Sequence, residues 1–138
     1  MDIFIGSIIV LFIIMSVVFI YMAHFAVRPT VHTLEYELDY LDRLECMKGE
    51  SLAIENEHRV TAFDGEKLWV GLVQGDPKNQ HYVILSHGYT STRYGMYKYA
   101  ALWRKMGYNC VLYDNRGHGM NQRATITFGI RESRNPGI

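Results

Sequence analysis

The chain has 138 residues, room for one modest domain. Its 14 Lys and Arg balance 14 Asp and Glu, so it lacks the basic footprint by which nucleic acid is bound. The six histidines, at 24, 32, 58, 81, 87 and 118, are scattered without metal-ligand spacing. Cys46 and Cys110 stand outside any C-x-x-C pattern and read as two free thiols.

From Ile3 to Ala23 there is no charged side chain, and Ile, Val, Phe and Met dominate. As a helix, about 21 residues at a rise of about 1.5 Å span roughly 31 Å, close to the hydrocarbon thickness of a bilayer. A cleaved signal peptide would need a basic leading region and a shorter apolar core. Here Asp2 leads, without Lys or Arg, and the segment reads as an uncleaved single-pass anchor in the cell membrane. Tyr21 suits the interfacial level, and Arg28-Pro29 marks the helix end. Arg28, Arg43 and Lys48 follow the span, so the positive-inside rule places the carboxyl side in the cytoplasm.

Between Thr30 and Asn56 the composition turns polar and acidic. Leu34, Leu38, Leu41 and Cys46 keep roughly helical spacing, Glu35, Glu37, Asp39 and Asp42 occupy the other faces, and Gly49 supplies a stop. This predicts an amphipathic connector, packed on the domain or lying near the membrane. A partner-binding helix is the alternative. The resulting division is anchor 1–27, connector 28–56 and domain 57–138.

Arg59–Phe63 and Lys67–Val73 are strand-like and flank Asp64-Gly65, a strong turn signal. Leu68, Val70 and Leu72 alternate with the other face of the second strand, predicting one buried side. Tyr82–Leu85 is a continuous apolar run, as in an interior strand covered on both faces. Met96, Tyr99, Ala100, Trp103 and Met106 then recur at helical spacing, with Lys98, Arg104 and Lys105 outside and Gly107 at the cap. Asn109–Tyr113 is the next interior strand, and Asp114–Gly119 its exit loop. The pattern is an antiparallel hairpin followed by a parallel strand–helix–strand unit, in an α/β fold.

Leu85-Ser86-His87-Gly88-Tyr89 after one strand, then Gly107-Tyr108 and Asp114-Asn115-Arg116-Gly117-His118-Gly119 after the next, resemble the amino-terminal part of the α/β-hydrolase superfamily. The likeness is to the bacterial serine-hydrolase branch that includes monoacylglycerol-lipase-like and serine-aminopeptidase-like proteins. It extends from about His58 to about Glu132. It implies a sheet beginning in the order 1-2-4-3, an ester or amide substrate and no cofactor. It also implies that the Tyr89 backbone N–H is one donor of an oxyanion hole, with His87 and Gly88 shaping that loop. Asp114, Arg116, Gly117, His118 and Gly119 would form a structural loop beside the site.

The family's nucleophile elbow, G-x-S-x-G, is absent from the sequence, and with it the second oxyanion donor. Phe128–Arg134 reads as the start of the helix that would precede it. Replacements within the chain are poor. Ser86 and His87, adjacent at a strand end, should point to opposite sides. Ser91 or Thr92 beside His118 or Asp114 lacks an orienting partner, and a metal held by His87, Asp114 and His118 at neighbouring strand ends is a minor alternative. Gln122 stands where a dinucleotide fingerprint needs its third glycine. Two expectations follow. One is a truncated or frameshifted membrane-anchored serine hydrolase, inactive as it stands. The other is a non-catalytic membrane-anchored interaction module. In either case Tyr82–Leu85 becomes an open sheet edge through which chains could self-associate.

Overall fold

The computed structural model describes residues 2–48, 51, 54–131 and 133. It is a mixed α/β structure with an apolar amino-terminal helix and a four-stranded mixed sheet.

Helix α1, Asp2–Val27, is apolar all round, and almost every side chain along it is exposed. Phe4–Val27 is long and apolar enough to cross a membrane, a character it shares with signal sequences. Among the described residues this span is left unburied. Helix α2, Leu34–Asp42, is capped by the Thr33 hydroxyl, which accepts the Tyr36 N–H. It stops at Asp42 rather than continuing to Gly49, which lies outside the described residues. A single 3₁₀ turn follows at Glu45–Met47.

Strand β1, Glu55–Thr61, pairs antiparallel with β2, Lys67–Val73, through the Asp64-Gly65 turn. Gly65 has φ +85, a conformation that costs glycine little. β1 begins before the predicted Arg59 and ends before Phe63. It runs along the polar rim, so most of its side chains face solvent and leave no apolar signal for its start. β2 buries residues on both faces, Leu68 and Val70 on one and Val73 on the other, where a single buried side was expected.

β3, Tyr82–Ser86, leads through a 3₁₀ turn at Arg93–Met96 into α3, Tyr97–Lys105, and then β4, Asn109–Tyr113. β3 and β4 are parallel, and β4 also pairs antiparallel with β2, giving the order β1-β2-β4-β3. β3 is thus an edge strand. Its Tyr82, Ile84 and Ser86 side is exposed (Ile84 by 52 %), which corrects the expectation of cover on both faces. α3 packs on the sheet through Tyr97, Ala100 and Ala101; Tyr99 and Met106, expected inside, are exposed.

The core gathers Val73, Cys110, Leu112, Tyr97, Ala100 and Ala101 with Leu41 of α2 and Met47. The amphipathic segment therefore packs on the sheet domain. Leu34 and Leu38 nevertheless remain exposed, while Glu37, assigned to an outer face, is buried. Cys110 is a free thiol whose pKa burial pushes up; the Cys46 side chain lies outside the described residues. Residues 128–131 form a turn in which Phe128 (φ +47) and Gly129 (φ +98) break helical geometry, so the helix expected from Phe128 does not start there. Residues 132 and 134 of that prediction lie outside the described residues.

Candidate functional site

The register of the parallel pair brings two loops together. Ser86 lies opposite Tyr113, so the His87–Thr90 loop and the Asp114–Gly119 loop leave the sheet at one level. Between them opens a cavity of about 240 Å³, lined among others by His87, Gly88, Tyr89, Arg116, His118 and Phe128.

His87 is buried. Its Nε2 accepts the Asn115 N–H at 2.9 Å, which leaves Nδ1 as the donor to the Gly88 carbonyl at 2.8 Å. Burial holds its pKa below the ordinary histidine value; the Gly88 carbonyl opposes this and the neighbouring His118 adds to it. The two imidazoles stand 5.0 Å apart. His118 donates from Nδ1 to the Arg116 carbonyl at 2.8 Å and accepts the Thr90 N–H on Nε2 at 3.3 Å. Both rings are struts joining the loops, with both nitrogens of each engaged.

That bond helps to hold Thr90 at φ +69, which is strained for a β-branched residue. The Thr90 carbonyl accepts the His32 N–H at 2.8 Å, so the segment after α1 braces the same turn. Among the described residues the N–H of the adjacent Tyr89 meets no hydrogen-bond acceptor. Its phenol donates to the Ala26 carbonyl at the end of α1, 2.6 Å away, and its ring stacks on Phe128 at 6.0 Å.

Asp114 is wholly buried beneath the cavity and does not line it. It accepts the Arg93 N–H at 2.8 Å and the Met120 N–H at 3.1 Å, and forms an ion pair with the Arg93 guanidinium. Arg93, also wholly buried, pairs in turn with Glu57 at 2.8 Å. Burial opposes its charge, yet Asp114 and Glu57 together raise its pKa. Gly119 (φ +55) closes over Asp114 so tightly that a Cβ there would strike the carboxylate. Arg116 reaches the opposite way and pairs with Asp64, at 2.8 Å, and with Glu66, tying the hairpin turn to the loop. Its guanidinium holds the Asp64 carboxyl below the usual range. Gly117 lines a different pocket, beside Arg28 and Arg123.

His87, Gly88, Tyr89, Arg116 and His118 therefore meet at one cavity, whereas Asp114, Gly117 and Gly119 build its support. The hydroxyls considered as replacement nucleophiles are engaged elsewhere. Ser86 Oγ accepts the Tyr113 phenol at 3.0 Å. Ser91 Oγ donates to Glu37 at 2.8 Å, and Thr92 Oγ1 accepts the Tyr94 N–H at 3.3 Å. None of these three hydroxyls is shown bonded to a histidine ring.

Two structural residues were not anticipated. Arg93 is the buried counter-ion of Asp114. Glu37, from α2, accepts the Ser91 hydroxyl and the Thr92 N–H and so anchors the start of the 3₁₀ turn. The acid of the D-x-R-G-H-G loop was a signal that a cation had to be near; nothing local marked Glu37.

No family model matches the chain, and no curated protein matches it. Among solved structures it is similar to an esterase from Pyrococcus furiosus, at 30 % identity and a TM-score of 0.49. The alignment covers 60 % of this chain and 32 % of the esterase, so the match spans about a third of that protein's length.

Proposed function

We propose that this chain is the scaffold side of a serine-hydrolase site of the α/β-hydrolase type, anchored by α1 as a single-pass membrane protein with the domain on the cytoplasmic side. The substrate class is a small-molecule ester or amide. The observation that carries this reading is the unengaged N–H of Tyr89, at the mouth of a cavity formed where H-G-Y and D-x-R-G-H-G loops leave adjacent parallel strands. A donor fixed in that way stabilises a developing oxyanion without reorganising, typically by about 10²–10³ in rate. The imidazoles of His87 and His118, with both nitrogens of each engaged, hold the two loops together and are assigned no role as base. Losing a serine nucleophile costs about 10⁶, far more than a single donor returns. The sequence contains no G-x-S-x-G, so these 138 residues supply no nucleophile of that type.

A fluorophosphonate probe tests the assignment on this chain: no serine adduct is expected, and labelling of Ser86 or Ser91 would sink it. The coding DNA beyond codon 138 supplies the positive arm, where a reading frame with G-x-S-x-G is expected. An unrelated continuation would favour the second reading, a non-catalytic membrane-anchored interaction module. The exposed side of β3 supports that alternative, because Tyr82 and Ile84 border an unpaired strand edge suited to self-association.

A further inference from the structure

Directly after α1 the chain is tied to the 123–126 segment: the Ile126 N–H donates to the Val27 carbonyl at 2.9 Å, and Arg123 Nη1 donates to the Pro29 carbonyl at 3.2 Å. Arg28 Nε donates to Thr125 Oγ1 at 3.4 Å. Both guanidiniums line one open pocket of about 240 Å³ with Pro29, Gly117, Ala124 and Thr125, and no carboxylate lines it. Among the described residues neither arginine has an acidic partner. Each guanidinium has five N–H donors and spends one on these ties, leaving the rest for a ligand. Two unneutralised arginines converging on a recess select an anion with several oxygens, and a phosphate matches their fork geometry.

The level of this pocket decides the source of the phosphate. Arg28 is one residue past the apolar helix, and Tyr89 and Ile126 bond to its last two carbonyls. Phe128, 66 % exposed, stacks on Tyr89 beside the same helix end. Apolar rings and arginines at the end of a spanning helix sit in the headgroup layer, where anionic lipids attract cations. We infer that the pocket between Arg28 and Arg123 binds the phosphate of an anionic phospholipid headgroup. The inference rests on α1 spanning a membrane and is independent of the hydrolase reading.

Native mass spectrometry of the full chain in non-ionic detergent tests it, with short-chain phosphatidylglycerol or phosphatidylcholine added. Each arginine near a lipid surface is worth about fivefold in affinity. One phosphatidylglycerol adduct is therefore expected at a concentration at least about tenfold below that needed for phosphatidylcholine. Arg28→Gln/Arg123→Gln should erase the difference, and Arg28→Lys/Arg123→Lys, which keeps the charge without the fork, should retain part of it. Equal adduct formation by the two lipids on the unmodified chain overturns the inference, whether or not the variants fold. So does selectivity that survives the double Gln change. Displacement of the adduct by an equal concentration of glycerol 1-phosphate also overturns it, in favour of a soluble phosphate. Alkaline carbonate extraction of the chain from membranes reports separately on the span.

Discussion

Replacing Arg93 by Met removes one half of the buried ion pair beneath the cavity. Asp114 would keep its bonds from the Arg93 and Met120 N–H groups but lose its only guanidinium partner among the described residues. A buried charge stripped of its partner costs about 3–5 kcal/mol. Loss of the contact to the part-exposed Glu57 adds less than about 1 kcal/mol, because water screens that end. Domains of this size have about 5–15 kcal/mol in total, so the change takes a large share. Urea unfolding of the full chain with Trp103→Phe in non-ionic micelles, followed by Trp69 fluorescence, reads the effect directly, since the Arg93 guanidinium lies 5.6 Å from that ring. With a denaturant slope of about 1–1.5 kcal/mol/M, the midpoint should fall by about 2–5 M.

The decisive comparison is a cycle with Asp114→Asn. Asparagine keeps a carbonyl oxygen for the Arg93 N–H and removes the charge, so Arg93→Met/Asp114→Asn leaves no stranded ion. The double variant should be more stable than the sum of the single losses predicts, by about 2 kcal/mol or more. Additivity within about 0.5 kcal/mol, the behaviour of independent sites, would refute the reasoning. A loss below about 1 kcal/mol for Arg93→Met would refute it too.

Glu37→Ala should strand the buried Thr92 N–H and cost about 1–3 kcal/mol. Amide exchange should accelerate at Thr92 before it does so in β4, and unchanged exchange there would dismiss the anchoring role. Gly65→Ala and Gly119→Ala both force alanine into positive φ, worth about 1–2 kcal/mol. Only the second meets the Asp114 carboxylate, so its midpoint should fall further; equal losses would show that the contact relaxes freely. His87 has a folded pKa held below the ordinary value of about 6.5. The unfolded chain therefore takes up the proton first, and stability present above pH 6.5 is lost as pH falls toward the folded pKa. In His87→Gln the unfolding midpoint should fall less steeply over that range, and parallel pH profiles would contradict the burial argument.

The elements of this fold were largely legible, because alternation, helical spacing and the Asp64-Gly65 turn are local signals. The sheet order came from the resemblance in the two glycine loops and agrees with the observed β1-β2-β4-β3. Burial was less legible where cover comes from distant chain. Tyr82, Ile84, Tyr99 and Met106 carry apolar side chains in apolar patterns, yet no described element packs over them. Glu37 and Arg93 fail in the opposite sense. Their charges suggest solvent, but each is buried against partners that local spacing cannot reveal: Ser91 and Thr92 for one, Glu57 and Asp114 for the other. The candidate site divided in the same way. Its loops were recognisable as motifs, while the braces from His32, Ala26 and Glu37 depend on how the end of α1 and the segment after it dock.

The pairing of β2 with β4 has a consequence for how the chain is made. The hairpin of β1 and β2 is complete at Val73, but the strand that covers the far side of β2 begins only at Asn109. At about 5–20 residues per second, synthesis of the intervening stretch takes roughly two to seven seconds. Throughout that interval Leu68, Val70 and Val73 lack their final neighbours, and β3 emerges first with a parallel partner still to come. A hairpin alone is marginal in water, so the nascent segment passes seconds as an adhesive ribbon beside the ribosome. Slowing elongation between codons 74 and 108 would lengthen that exposure, and chaperone dependence should rise with it.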